Sequence, residues 1–290
     1  MSLYVYCLGE GLRAEWFGGV RGVCGAQVRV VALGGVAAVV SEFGGGTAQA
    51  DAENLRAHNR VNAAALARAT PLPFRFGTLA GERRLADYVS EKEGVLFAAR
   101  AAVAPLRFGT IYLRGESVER MLEERGAQLR SVLGRLEGRE EWGLNLFVER
   151  ARLREGVAHV SPRLREMGER ADASSPGQAY LLRKKIESLR DEEARAETRR
   201  VAAEVEGRLG AASDGAARLR VLKDEAAEQG ELAARFAFLV ARNRFNEFRA
   251  AAERLAEEYT PLGFRFELTG PWPAYNFVVF DEERETEVRG

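Results

Sequence analysis

Apolar and polar positions alternate along this chain with two different periods, and the switches between them mark its elements. The longest helical period covers residues 177–212, where Leu182, Ile186, Leu189, Val201, Val205 and Leu209 recur at helical spacing. Ser174, Ser175 and Pro176 stand ahead of it as a cap and first-turn signal, and Ser213-Asp214-Gly215 breaks it. Strand-like runs flank it, 142–148 before and 217–223 and 235–240 after. A helical period over 243–259, with Phe245, Phe248, Ala252 and Leu255 on one side, and a strand over 261–269 complete the series. Strand, long helix, two strands, helix, strand is the β-α-β-β-α-β order of a ferredoxin-like sandwich. Between its first strand and the long helix, residues 150–175 read as irregular and polar, with one helical turn over 162–170. Beyond the closing strand, Gly270-Pro271-Trp272-Pro273 predicts a sharp turn, 275–280 a last strand and 281–290 a charged tail.

The first half reads as a related α+β unit of sheet and helices. A strand over 3–8 leads into a glycine-rich loop, and strands over 27–33 and 36–41 form a hairpin about Gly34-Gly35, since glycine accepts the positive φ of a two-residue turn. An alanine-rich helix over 51–69 follows, then a strand over 71–79 with proline at its start, one or two helices over 82–102, a strand over 105–112 and a helix over 117–136 capped by Ser117. Arg75-Phe76-Gly77-Thr78 repeats as Arg107-Phe108-Gly109-Thr110, a spacing that suits a β-α-β unit. The segment at Pro71-Leu72-Pro73-Phe74-Arg75-Phe76 is echoed again at Pro261-Leu262-Gly263-Phe264-Arg265-Phe266.

Length then sets the scale. A chain of 290 residues suggests two domains, divided here at the polar stretch Glu137-Gly138-Arg139-Glu140-Glu141 into 1–136 and 137–290. Hydrophobic residues make up 46% and charged ones 30%, enough apolar side chains for a full core in a soluble protein. Lys plus Arg equals Asp plus Glu at 43 each, which argues against a dedicated nucleic-acid binder and leaves no long-range repulsion between copies. Two cysteines, Cys7 and Cys24, cannot staple a chain this long, so a reducing cytoplasm fits better than secretion. No signal pattern precedes the first strand and no apolar run approaches the roughly 20 residues of a spanning helix, so no membrane is expected.

Candidate chemistry is sparse. Gly9-Glu10-Gly11-Leu12-Arg13-Ala14 follows the first strand and matches a loose dinucleotide fingerprint, but Gly18, Gly19, Gly22 and Gly25 prevent the helix that would receive the pyrophosphate, so the stretch reads as a loop. His58 and His159 fall in different domains without ligand-spaced partners, so no metal is expected and His58 reads as a satisfied, half-buried side chain. No nucleophile elbow and no phosphate-loop lysine is present. Arg75 and Arg107 stand in apolar strands, either facing solvent beside a carboxylate or forming an anion or partner site. The run from Arg183 to Arg200 reads as a solvated helix face laced with ion pairs, long enough to project past a sheet toward a partner. Pro271-Trp272-Pro273 with Tyr275 is a rigid aromatic corner, a core plug or an interface anchor.

Several motifs taken in order carry a family resemblance over nearly the whole chain. They are Leu3-Tyr4-Val5-Tyr6, Val36-Ala37-Ala38-Val39-Val40-Ser41-Glu42, His58-Asn59-Arg60-Val61, Pro105-Leu106-Arg107-Phe108-Gly109-Thr110, Glu141-Trp142-Gly143, the run Ser175 through Lys185, and Leu268-Thr269-Gly270-Pro271-Trp272-Pro273-Ala274-Tyr275-Asn276-Phe277. In this the sequence resembles the gas vesicle proteins GvpF and GvpL. The resemblance implies two α+β domains and a non-enzymatic accessory or minor structural protein, needed to build the vesicle and located with it in the cytoplasm. It implies contact with the small hydrophobic main shell protein and with other accessory proteins. It implies no catalytic residues, cofactor, small-molecule substrate or nucleic acid. The proline-arginine-phenylalanine-glycine-threonine strand normally appears once in the family, and its two copies here leave the strand order of the first domain open.

An apolar, aggregation-prone client would need a sheet edge or apolar groove on a neutral body. The glycine-bounded strand carrying Val36 and Val39 is the expected edge, and Arg75, Arg107, Trp272 and Tyr275 complete the set of interface candidates. The alternative reading is a small-molecule regulatory or enzymatic domain on a ferredoxin-like sheet, which a deep pocket with converging polar groups would favour. An RNA-binding module is disfavoured by the neutral charge.

Overall fold

The structure, a computed structural model, describes residues 1–44, 51–69, 75–78, 102–221, 226–227 and 230–278. The helices expected over 82–102 fall outside these residues, apart from Ala102 itself. The chain divides into two compact units. The first comprises Met1–Phe74, Tyr88–Glu141 and Pro271–Gly290, and the second Arg75–Asp87 and Trp142–Gly270.

The first unit is a sheet of β1 (Ser2–Glu10), β2 (Val28–Leu33), β3 (Val36–Phe43), β5 (Val103–Pro105) and β6 (Ile111–Tyr112), in the order β2-β3-β1-β5 with β6 also on β1. Gly34 and Gly35, at φ 60° and 86°, close the β2–β3 hairpin as the sequence predicts. α1 (Ala52–Ala69) packs on β1 and β5; its Val61 and Ala65 join Tyr4, Tyr6, Ala37 and Val39 in one buried cluster. Alternation sends Leu3, Val5, Val36, Ala38 and Val40 to the opposite face, which α2 (Gly115–Glu124) and α3 (Gly126–Leu136) cover. Covered on both faces, β1 is buried from Leu3 to Leu8.

Three expectations need correction in this unit. The strand carrying Val36 and Val39 is not an edge: β3 pairs β1 on one side and β2 on the other, and both valines are fully buried. The expected strand over 105–112 is interrupted, because β1 carries a bulge at Tyr6, where pairing steps from Val5↔Val40 to Cys7↔Val39. Opposite the bulge the neighbouring chain loops out through a turn at Phe108–Gly109, held by Leu106 N–H to the Tyr6 carbonyl at 2.8 Å and Val5 N–H to the Thr110 carbonyl at 2.9 Å. The helix expected over 117–136 is two, broken where Arg125 leaves the helical range (φ −105°, ψ 10°) ahead of Gly126; Arg114, not Ser117, is the first cap.

The second unit is a sheet in the order β4-β11-β7-β10-β8, built from β4 (Arg75–Thr78), β7 (Arg139–Val148), β8 (Gly215–Leu219), β10 (Gly230–Ala241) and β11 (Phe264–Trp272), with β9 (Ala226–Ala227) on β10. Taking β7, β8, β10 and β11 as first to fourth, the order is fourth, first, third, second, the ferredoxin-like arrangement. α6 (Pro176–Ala211) and α7 (Phe245–Tyr259) cover one face, where Leu144, Leu146, Phe236, Phe238, Phe264 and Phe266 meet Val201, Val205, Leu209, Phe248 and Leu255. The opposite face is mixed: Phe147, Ala237 and Leu239 are buried, while Asn145 donates to Glu267 at 3.0 Å, Arg235 donates to Asn145 at 3.2 Å, and Arg265 lies 3.9 Å from the centre of the Phe147 ring.

Residues 150–175 are not irregular. They form α4 (Arg150–Val160) and α5 (Pro162–Asp172), which pack on α6 through the sparse buried positions Leu153, Val157, Leu164 and Ala171. The charged middle of α6 is engaged by these helices: Arg154 pairs with Glu187 and Asp191, and Arg163 with Glu192 and Glu193. The turn expected at 270–273 is displaced, since β11 runs on through Trp272, and the residues of 275–280 that are described form a turn rather than a strand. The repeated Arg-Phe-Gly-Thr segments do not share a β-α-β unit. The first pairs antiparallel with β11 in the second unit and the second is the looped turn of the first unit.

Candidate functional site

Of the motifs that carry the family resemblance, those around Tyr4, Ser41, His58, Leu106, Glu141 and Tyr275 meet in the first unit on a buried polar cluster, whereas the run Ser175 through Lys185 belongs to α6 of the second. Tyr4 and Tyr6 reach the same cluster because alternate residues of β1 share a face, and the bulge at Tyr6 brings Cys7 to it as well. Tyr6 accepts from Val23 N–H at 2.7 Å and shares a 2.7 Å hydrogen bond with Ser41. A Cβ at Gly22 would come within 2.0 Å of this hydroxyl, so the backbone approach there requires glycine. Tyr4 accepts from Gly109 N–H at 2.9 Å and lies 3.0 Å from His58 Nδ1, while His58 Nε2 lies 3.1 Å from the Leu106 carbonyl.

Burial lowers the His58 pKa to about 4, so the ring is neutral near pH 7 and carries one N–H. The Leu106 carbonyl can only accept, which puts that proton on Nε2 and leaves Nδ1 to accept from the Tyr4 hydroxyl. Asn62, fully buried one helical turn on, places its amide 3.0 Å from Nε2. The same amide lies 2.7 Å from the Tyr275 hydroxyl, and Tyr275 stacks on His58 with centroids 6.2 Å apart. Burial raises the hydroxyl pKa of Tyr4 to about 12 and that of Tyr275 higher still.

A second tie lies a few residues along. Glu141, 4% exposed, accepts from the backbone N–H of Asn276 at 3.0 Å and from its side-chain amide at 2.6 Å. Burial pushes its pKa up to about 7. Together the two clusters fasten the segment after β11 to α1, β1 and the start of β7 through neutral or singly charged groups that hold one another. These hydrogen bonds tie together β1, the turn at Val23, β3, α1, the 105–110 loop, the segment after β11 and the start of β7. Among the described residues no three His, Cys, Asp or Glu side chains gather to hold a metal ion.

Beside the first cluster opens a pocket of about 220 Å³, lined by Leu8, Leu106, Arg107, Met121, Leu129 and Tyr275 among others. Of the interface candidates it brings together Arg107, which is exposed at the rim, and Tyr275. Val36 and Val39 lie in the sheet interior, Trp272 is half-buried at the end of β11, and Arg75 belongs to β4 of the other unit with its side chain outside the described residues. Sequence reasoning correctly treats His58 as a satisfied side chain but misses its partners Tyr4, Asn62 and Tyr275, and the Glu141–Asn276 pair. No local signal marks the last of these, since nothing at position 141 itself points to an amide 135 residues away.

A model of the family described as gas vesicle synthesis protein GvpL/GvpF matches residues 2–96 and 93–279. Gas vesicle protein L1 of Halobacterium salinarum is 28% identical over 179 residues, which is 60% of this chain and 63% of that protein. Gas vesicle protein L of a Streptomyces species is 28% identical over 220 residues, 71% of this chain and 75% of the relative. The crystal structure of GvpF from an Anabaena species shares the fold at a TM-score of 0.64 and 17% identity, over 96% of this chain and 98% of that one. GvpF from Microcystis aeruginosa does so at 0.58 and 16%, over 95% and 98%. No described helix is long and apolar enough to cross a membrane. With both units inside the match, the chain belongs to the GvpL/GvpF family of gas vesicle synthesis proteins.

Proposed function

We propose that this protein is a non-enzymatic accessory factor of gas vesicle assembly that acts in the cytoplasm by binding the small hydrophobic shell protein and other accessory proteins. The family match over residues 2–96 and 93–279 carries this reading. The geometry supports it in two ways. Apart from Asn62 Oδ1, the polar groups of the cluster are spent on one another and on backbone, which suits a rigid scaffold better than a reaction centre. The pocket that joins Arg107 and Tyr275 offers an apolar floor with a cationic rim, the form of a small protein-binding cleft. Arg107 and Tyr275 are retained as interface residues, and Trp272 and Arg75 as candidates.

Deletion of the gene tests the role. Loss of buoyant vesicles, restored by the intact gene, is expected; normal vesicles in the deletion strain would refute it. Binding is tested by co-purification with the shell protein. An Arg107→Glu variant of unchanged melting temperature is expected to retain less shell protein, and unchanged recovery would remove this pocket from the interface.

A further inference from the structure

We propose that the second unit carries a docking groove for an acidic amphipathic helix of a partner protein, formed by α4, α6 and the start of β10. This rests on the reading of the protein as one that binds other proteins. The groove has a volume of about 550 Å³ and an apolar floor that includes Val148, Leu153, Ala194 and Leu232. Four guanidiniums surround it, from Arg150, Arg154, Arg195 and Arg199.

Two of these are matched: Arg150 pairs with Glu231, and Arg154 with Glu187 and Asp191. The other two are not. Arg195 has Asp191 one turn before it on α6, the favourable helical pairing, but Arg154 holds that carboxylate at 3.0 Å. Glu192, three residues before Arg195, is held by Arg163 at 3.4 Å. Arg195 is left donating to the Asp191 backbone carbonyl at 3.1 Å. Arg199 has alanine or arginine at every position three or four residues away on its helix, and no ion pair among the described residues. The two exposed arginines stand one turn apart, a like-charged pair that disfavours the helix it sits on.

A chain of zero net charge thus concentrates unneutralised positive charge along one rim of an apolar trough. The complementary occupant has carboxylates one helical turn apart, meeting Arg195 and Arg199, and aliphatic side chains on the adjoining face to fill the floor. Arginine suits the role because its planar fork takes a carboxylate in two parallel bonds.

The test uses the full chain and a labelled helical peptide of about 16 residues with leucines along one face and glutamates one turn apart beside them. A second peptide replaces the glutamates by lysines. Fluorescence anisotropy is expected to show binding of the acidic peptide, weakened by salt and reduced at least about tenfold by Arg195→Glu with Arg199→Glu. The same double variant is expected to gain affinity for the lysine peptide. Melting temperature and circular dichroism establish that the variant is folded; should it fail to fold, Arg195→Gln with Arg199→Gln, which adds no repulsion, is expected to show the same loss for the acidic peptide.

No binding of the acidic peptide, or equal binding of both peptides, would overturn the proposal. So would a single-stranded oligonucleotide bound more tightly and lost with the same substitutions, which points to phosphate, or self-association lost with them, which points to a second copy. Vesicle formation in the gene deletion reports separately on the assembly role. Intact vesicles there with peptide binding preserved would sink the role and leave the groove.

Discussion

Glu141 shows how a single side chain links burial to pH. Its pKa rises from 4.5 to about 7 in the folded protein. The native state therefore holds the proton more tightly than the unfolded chain. The contribution of this group is full below about pH 4.5 and is lost as pH rises to about 7, up to about 3 kcal/mol as an upper bound. His58 works in the opposite sense. Its pKa falls from 6.5 to about 4, so its contribution is full above about pH 6.5 and is lost as pH falls through 4. Thermal melts between pH 5 and 8 are expected to show a decline in the parent protein that Glu141→Gln flattens, while the His58 limb below pH 6.5 stays. A parallel pair of curves would contradict the assignment. Gly22 offers a steric counterpart. An added methyl meets the Tyr6 hydroxyl at 2.0 Å, so Gly22→Ala should cost about 1–3 kcal/mol in urea denaturation, and Tyr6→Phe should recover part of that. Neither effect is legible in the sequence, because a carboxylate beside a strand and a glycine in a glycine-rich loop look the same whether or not a distant residue packs on them.

At the level of elements, legibility followed the strength of the local signal. α6 and the β-α-β-β-α-β series could be read because Val201, Val205 and Leu209 keep helical spacing and the strands β7, β10 and β11 alternate toward one core. α4 and α5 could not, because each buries only two side chains and shows the rest, half of them arginines and glutamates, to solvent or to α6. Their stability comes from packing on α6, and in α5 from a side-chain cap, rather than from an apolar stripe. Ser161 is such a cap: it accepts from Leu164 N–H at 3.3 Å and donates to Glu193 at 2.7 Å. Ser161→Ala is expected to cost about 1 kcal/mol and to speed amide exchange in α5 before the rest of the unit. The broken strand at 105–112 was illegible for another reason. The loop lies opposite the bulge at Tyr6 on its partner strand, which its own residues do not encode, although Gly109 at φ 88° supplies the turn.

At the scale of the whole molecule, the interior position of β3 changes what a mutation there means. A lysine at position 39 would bury an unpaired charge between two paired strands, at a cost on the order of 3 kcal/mol or more. Val39→Lys is therefore expected to lower the melting temperature or yield insoluble protein, which is checked by scanning calorimetry. A soluble variant of parental stability would place β3 wrongly. The chain also leaves the first unit at Glu141 and re-enters it at Pro271. A ribosome making this polypeptide at roughly 5–20 residues per second releases Tyr4, His58 and Asn62 well before Tyr275 and Asn276 exist. Until those last residues emerge, Glu141 lacks its clamp and Asn62 lacks its phenol, so the half of the protein begun first is the half finished last.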